Sequence, residues 1–186
     1  MNLFLFILQA MAFGISLLIM VRPCIESRPI RLTHGLAASL FVAFLHSLLL
    51  FAGLCVGRQL RFDDSLYHVV NEMVLLGMIV YVAIRWMVTA FRHATASSYD
   101  LSRWSTLLAF AVATGVNLLL VGIGAGFVDH RVSLGFSVAL PLMIIEFLAF
   151  YLAVMMGRQH KSLKERRWYL FAVLLLLSSA LLYVVG

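Results

Sequence analysis

Six stretches of this chain, Leu3–Val21, Gly35–Val56, Val69–Ala90, Thr106–Val128, Ser133–Met156 and Trp168–Val185, are apolar over long runs. A helix needs about 20 such residues to cross the hydrocarbon core of a bilayer. Nothing else in the sequence constrains the fold as strongly. Within lipid every backbone N–H and C=O must find its partner inside the protein, which leaves helices and closed barrels. Runs this long, without polar alternation, are helical. The reading is an all-α integral membrane protein with six transmembrane helices. Its mean hydropathy of +1.03, with 63% hydrophobic and 12% charged residues, belongs to no ordinary soluble domain. The connections are too short to carry a separate soluble activity. The first run lacks the basic flank of a cleaved signal peptide and is read as helix 1.

The basic residues predict orientation. Connections after helices 1, 3 and 5 hold ten: Arg22, Arg28, Arg31, Arg92, Arg103, Arg158, Lys161, Lys164, Arg166 and Arg167. Those after helices 2 and 4 hold three, Arg58, Arg61 and Arg131, beside Asp63, Asp64 and Asp129. The excess predicts that both termini lie outside the cytoplasm. The net charge of +6 then reflects topology and anionic lipid, with no nucleic-acid partner.

Two segments one hundred positions apart resemble each other: His46-Ser47-Leu48 matches Glu146-Phe147-Leu148, and Gly57-Arg58-Gln59 matches Gly157-Arg158-Gln159. The reading is a first repeat over 1–91, a cytoplasmic linker over 92–104 and a second repeat over 105–186. Each repeat holds an odd number of helices, so the second inserts upside down. Inverted repeats in secondary transporters place the substrate site between the halves, near the midplane.

Polar residues deep in the spans point to the same place. His46, Asn117 and Glu146 each lie near the middle of a predicted helix, where polar groups are costly and face the bundle interior. His46 alone is read more simply as a histidine bonded to a carbonyl; a glutamate at that depth argues for function. Arg85 is read as snorkelling from the end of helix 3 to the headgroups. Gly115, Gly122, Gly124 and Gly126 are read as a close-packing face of helix 4.

At this point the residues resemble a known family, the small bacterial manganese efflux pumps of the MntP type. The likeness lies in Ala12-Phe13-Gly14-Ile15-Ser16, in Ala113-Thr114-Gly115-Val116-Asn117 followed by Val121-Gly122-Ile123-Gly124, in the spacing His46, Leu50, Gly53, Gly57, and in Arg85 with Phe91. It implies a divalent-metal exporter of the bacterial inner membrane, with manganese as its substrate. Where the family carries acidic residues, this chain has Leu18, His46 and Asn117. An imidazole suits zinc, nickel, iron or copper better than it suits hard manganese.

The expected metal site is His46, Asn117 and Glu146, with Ser16 and Thr114 as further oxygen donors, exchanging the ion against protons and needing no cofactor. The competing reading is a non-transporting scaffold or complex subunit with a decayed site. The placement of Cys24 and Cys55 at opposite ends of their spans argues against a thiol relay. No hydrolase, zinc-protease or phosphate-loop motif occurs, so the chain is read as non-enzymatic.

Overall fold

The computed structural model describes residues 3–62, 67–91, 99–128, 134–159 and 165–185. They form six helices: α1 (Leu3–Ser27), α2 (Leu32–Leu60), α3 (His68–Phe91), α4 (Trp104–Val128), α5 (Leu134–Arg158) and α6 (Glu165–Val185). No strand occurs among the described residues. All six helices are long and apolar enough to cross a membrane. The protein is therefore an all-α, multi-pass membrane protein with six transmembrane helices. Arg92, Arg131, Lys161, Lys164, Asp63, Asp64 and Asp129, together with most of the linker, lie outside the described residues.

The helices overrun the apolar stretches that announced them. α1 continues past Val21 to Ser27 and carries Pro23 within it. Its last turns hold an Arg22–Glu26 pair at 2.6 Å, spaced four residues apart on one helix face. The backbone ladder does not stop where hydrophobicity stops, and that is why hydropathy alone cut this helix short.

Exposure is inverted relative to a soluble protein. Leu36, Leu40, Phe44, Leu48 and Phe51 form an outward stripe on α2, while Ser16, His46, Asn117 and Glu146 are buried. Large apolar side chains face lipid and the polar ones face each other.

Contacts between helix ends show that successive helices run in opposite directions. Arg28, just after α1, reaches Asp100 just before α4 at 3.0 Å. Arg158 of α5 donates to Ile30 O between α1 and α2 at 3.2 Å. Arg166 at the start of α6 lies 4.7 Å over the Phe91 ring that ends α3. One end of the bundle thus gathers Arg28, Arg31, Arg103, Arg158, Arg166 and Arg167. Asp100 holds its carboxyl below the usual range by accepting from the Ser102 hydroxyl and amide, with Arg28 adding to this. With a lowered value the contribution of this tie is complete above the ordinary carboxylate range and is lost as pH falls below that range, through the lowered value.

The principal helix pairings are α2 with α4 and α5, α1 with α5 and α6, and α3 with α4 and α6. Every one joins a helix of the first three to a helix of the last three. Exchanging the two trios maps α1·α5 onto α2·α4 and α1·α6 onto α3·α4, and returns α2·α5 and α3·α6 to themselves.

The tightest seam is α2 against α4. A Cβ added at Gly53 would strike Leu119 O, and one at Gly122 would strike Leu50 O. Gly57 and Gly126 repeat the arrangement a turn further on, against Ile123 O and Leu54 O. Of the four glycines predicted to form one close-packing face of α4, Gly122 and Gly126 meet the glycine pair Gly53 and Gly57, Gly115 meets Leu49 and His46 of α2, and Gly124 turns instead to Leu75 of α3. Backbone atoms cannot rotate away as a side chain can. Gly122→Val is therefore expected to destabilise the protein by about 3 kcal/mol, the upper part of the usual overpacking range. A lowered unfolding temperature of the purified protein checks this, and an unchanged one removes the seam from the account.

Candidate metal site

His46 lies fourteen residues from either end of α2, and Glu146 twelve from either end of α5. These two helices pack together, and the side chains meet where they cross. His46 Nδ1 is 2.9 Å from Glu146 Oε2, with both groups almost wholly buried. The other ring nitrogen faces α4. His46 Nε2 lies 3.0 Å from Ala111 O and 3.0 Å from Thr114 Oγ1.

These partners define the protons. Ala111 O can only accept. The Thr114 hydroxyl gives its own hydrogen to Phe110 O at 2.8 Å or Ala111 O at 3.2 Å, so it too accepts from the ring. His46 Nε2 therefore carries a hydrogen, and neutral imidazole carries only one. Nδ1 is left to share a single further proton with Glu146 Oε2. Whichever atom holds it, the pair is neutral as a unit and both members are satisfied, as burial requires.

Gly115 makes room for this arrangement. A Cβ there would sit 3.0 Å from His46 Cδ2 and strike Leu49. Gly115→Ala is expected to push the imidazole off α4 and to destabilise the protein by about 1–3 kcal/mol, read from the unfolding temperature of the purified protein.

All five residues expected at the site are brought together. Ser16, His46, Thr114, Asn117 and Glu146 line one cavity, closed by Phe13, Leu17, Met20, Trp86 and Leu118. Its volume is about 10 Å³, near the least that holds one water. Leu18 packs aside, against the apolar cluster around Leu17 and Phe110. No group of three or more histidine, cysteine or acidic side chains poised for a metal occurs among the described residues. His46 and Glu146 are thus the two strong donors, and Asn117, Ser16 and Thr114 offer neutral oxygens.

Two neighbours were missed or misjudged from sequence. Arg85 extends from the outer face of α3, yet its Nη1 donates to Asn117 Oδ1 at 2.9 Å. It is committed to the site side of the helix, and the headgroup reading of it is incomplete. The next residue, Trp86, is 1% exposed, stacks edge-on to Phe13 at 5.1 Å, and its indole N–H has no hydrogen-bond partner among the described residues. The only sequence signal for either was an Arg-Trp pair within an apolar helix. A long arginine six residues from a helix end can turn either way.

A family model described as "Putative manganese efflux pump" matches residues 29–182. No curated protein matches the chain, and no solved structure does.

Proposed function

Because the chain belongs to the MntP family of manganese efflux pumps, we propose that it exports a divalent transition-metal cation, manganese by family membership, in exchange for protons. The observation that carries this reading is the buried 2.9 Å contact of His46 Nδ1 with Glu146 Oε2 at the crossing of α2 and α5, a geometry in which one proton lies between the two groups. A cation taking Nδ1 and the carboxylate needs a neutral ring and an ionised acid, so it displaces that proton. Return of a proton from the opposite side releases the ion. The pair thus holds either a proton or a metal, which is the requirement for antiport.

Asn117, Ser16 and Thr114 complete the coordination with neutral oxygens, and the cation sheds most of its water to fit so small a space. The exchange symmetry of the helix pairings supports an inverted repeat, 1–91 and 105–186, rocking about this centre. The arginines gathered at one end support a cytoplasmic placement of that end in the bacterial inner membrane, with both termini outside. Lipid contacts and protons are then the other partners, and no cofactor is needed.

A second reading, a non-transporting scaffold or subunit, is favoured by one observation: the cavity is small and its strong donors already satisfy each other. Metal sensitivity separates the two. Cells lacking their own exporter are expected to regain manganese tolerance with this chain and not with the His46→Ala, Glu146→Gln double variant. Equal rescue by both chains removes the site, and rescue by neither favours the scaffold. Ranking manganese, zinc, iron and nickel by the thermal stabilisation each gives the purified protein identifies the ion.

A further inference from the structure

Arg85 stands on the outer face of α3 and sends its guanidinium inward to Asn117 Oδ1 at 2.9 Å, the one oxygen it bonds among the described residues. That oxygen belongs to a residue 4% exposed that lines the cavity with His46 and Glu146. Arginine keeps its charge at any physiological pH. Among the described residues no lysine or arginine lines that cavity itself, so Arg85 brings a fixed positive charge to its edge.

We propose that Arg85 is a tethered competitor of the transported cation: its guanidinium occupies the Asn117 oxygen while the site lacks the ion, and withdraws when the ion binds. This inference rests on the export reading above and adds the element that expels the ion. A divalent cation ligated by Asn117 and a guanidinium bonded to the same oxygen repel each other at a few ångströms, inside a medium that screens poorly. Both cannot stay. Arg85 has a second resting place within reach. It lies six residues before Phe91, where α3 meets the arginine-rich end of the bundle, or about 9 Å along the axis. A long arginine side chain covers much of that distance and reaches lipid phosphates. Return of the guanidinium to Asn117 then lowers the affinity of the site and helps the ion to leave. A tie that only held α3 against α4 would not need a charge, since a neutral donor would serve an amide oxygen equally well.

The test uses the full-length purified protein titrated with manganese(II) chloride, reading thermal stabilisation and the ion concentration that gives half of it. Arg85→Gln, which removes the charge, is expected to bind manganese at least tenfold more tightly than the unaltered chain. Arg85→Lys, which keeps the charge, stays within about threefold. Manganese efflux from proteoliposomes by Arg85→Gln is expected to slow, because release is impaired. In an Asn117→Leu background the Arg85→Gln change loses its effect on affinity, since the contested oxygen is gone. If Arg85→Gln does not fold, Arg85→Leu, suited to a lipid-facing helix, takes its place. Binding by Arg85→Gln equal to or weaker than that of the unaltered chain overturns the competitor and leaves the export reading standing. Absence of manganese binding by every one of these chains overturns both.

Discussion

Glu146→Gln is expected to abolish metal export while leaving the fold nearly intact. Glutamine has the shape of glutamate and can still hydrogen-bond His46 Nδ1, so α2 and α5 remain joined at their crossing. What it lacks is the negative charge and the exchangeable proton. Removing the one carboxylate among the candidate ligands is expected to weaken metal binding by about 100-fold or more, equivalent to ~2.8 kcal/mol. Glu146→Leu provides the contrast. It leaves the buried Nδ1 without a partner and is expected to cost about 1–3 kcal/mol of stability in addition. Metal tolerance of cells and unfolding temperature of the purified proteins, taken together, check this. A Glu146→Gln chain that exports normally sinks the site, and a Glu146→Leu chain as stable as the parent sinks the paired geometry.

Metal affinity is expected to rise about tenfold for each unit of pH, as long as the pair keeps its shared proton. The sign follows from the hydrogen bonds around the imidazole. Nε2 is committed as a donor to Ala111 O, which leaves one proton between Nδ1 and Glu146. An ion binding there competes with that proton, so acid weakens it and alkali strengthens it. Two pH units are therefore worth about 100-fold, or ~2.8 kcal/mol. Calorimetric titration in buffers of different ionisation heat counts the protons directly. The expected count is close to one per ion; a count near zero, with affinity indifferent to pH, excludes exchange at this pair.

The contest for Asn117 bears on both results. If Arg85 withdraws when the ion binds, Glu146 supplies the ion's only full negative charge, which makes its replacement so costly. The neutral oxygens of Ser16 and Thr114 then shape the site without paying much of the charge stabilisation. A similar division holds at the glycine seam: it fixes how near α2 and α4 approach, while the pair on α2 and α5 carries the chemistry.

The likeness between the segments around His46 and Glu146 was enough to nominate those two residues, and the structure puts them in hydrogen-bond contact. Gly122 and Gly126 were legible as a packing face, because glycine in a membrane helix has few other uses. Their partners Gly53 and Gly57 were not assigned to it. Arg85 was read toward the headgroups because a long, flexible side chain near a helix end has two solutions of similar cost in sequence terms.

By itself the sequence determined the class of protein, the number of crossings and the two residues at the centre. Each of these depends on local polarity along the chain: an apolar run long enough to span, and an ionisable group at the middle of a run. Only the tertiary structure decided which helices touch, which nitrogen of His46 faces Glu146, how small the cavity is, and where Arg85 points. Those choices depend on the rotation of each helix about its own axis. A soluble helix announces its rotation by an apolar stripe, but here lipid is as apolar as the interior. Helices that are apolar on nearly every side carry no such mark, and packing alone sets their phase.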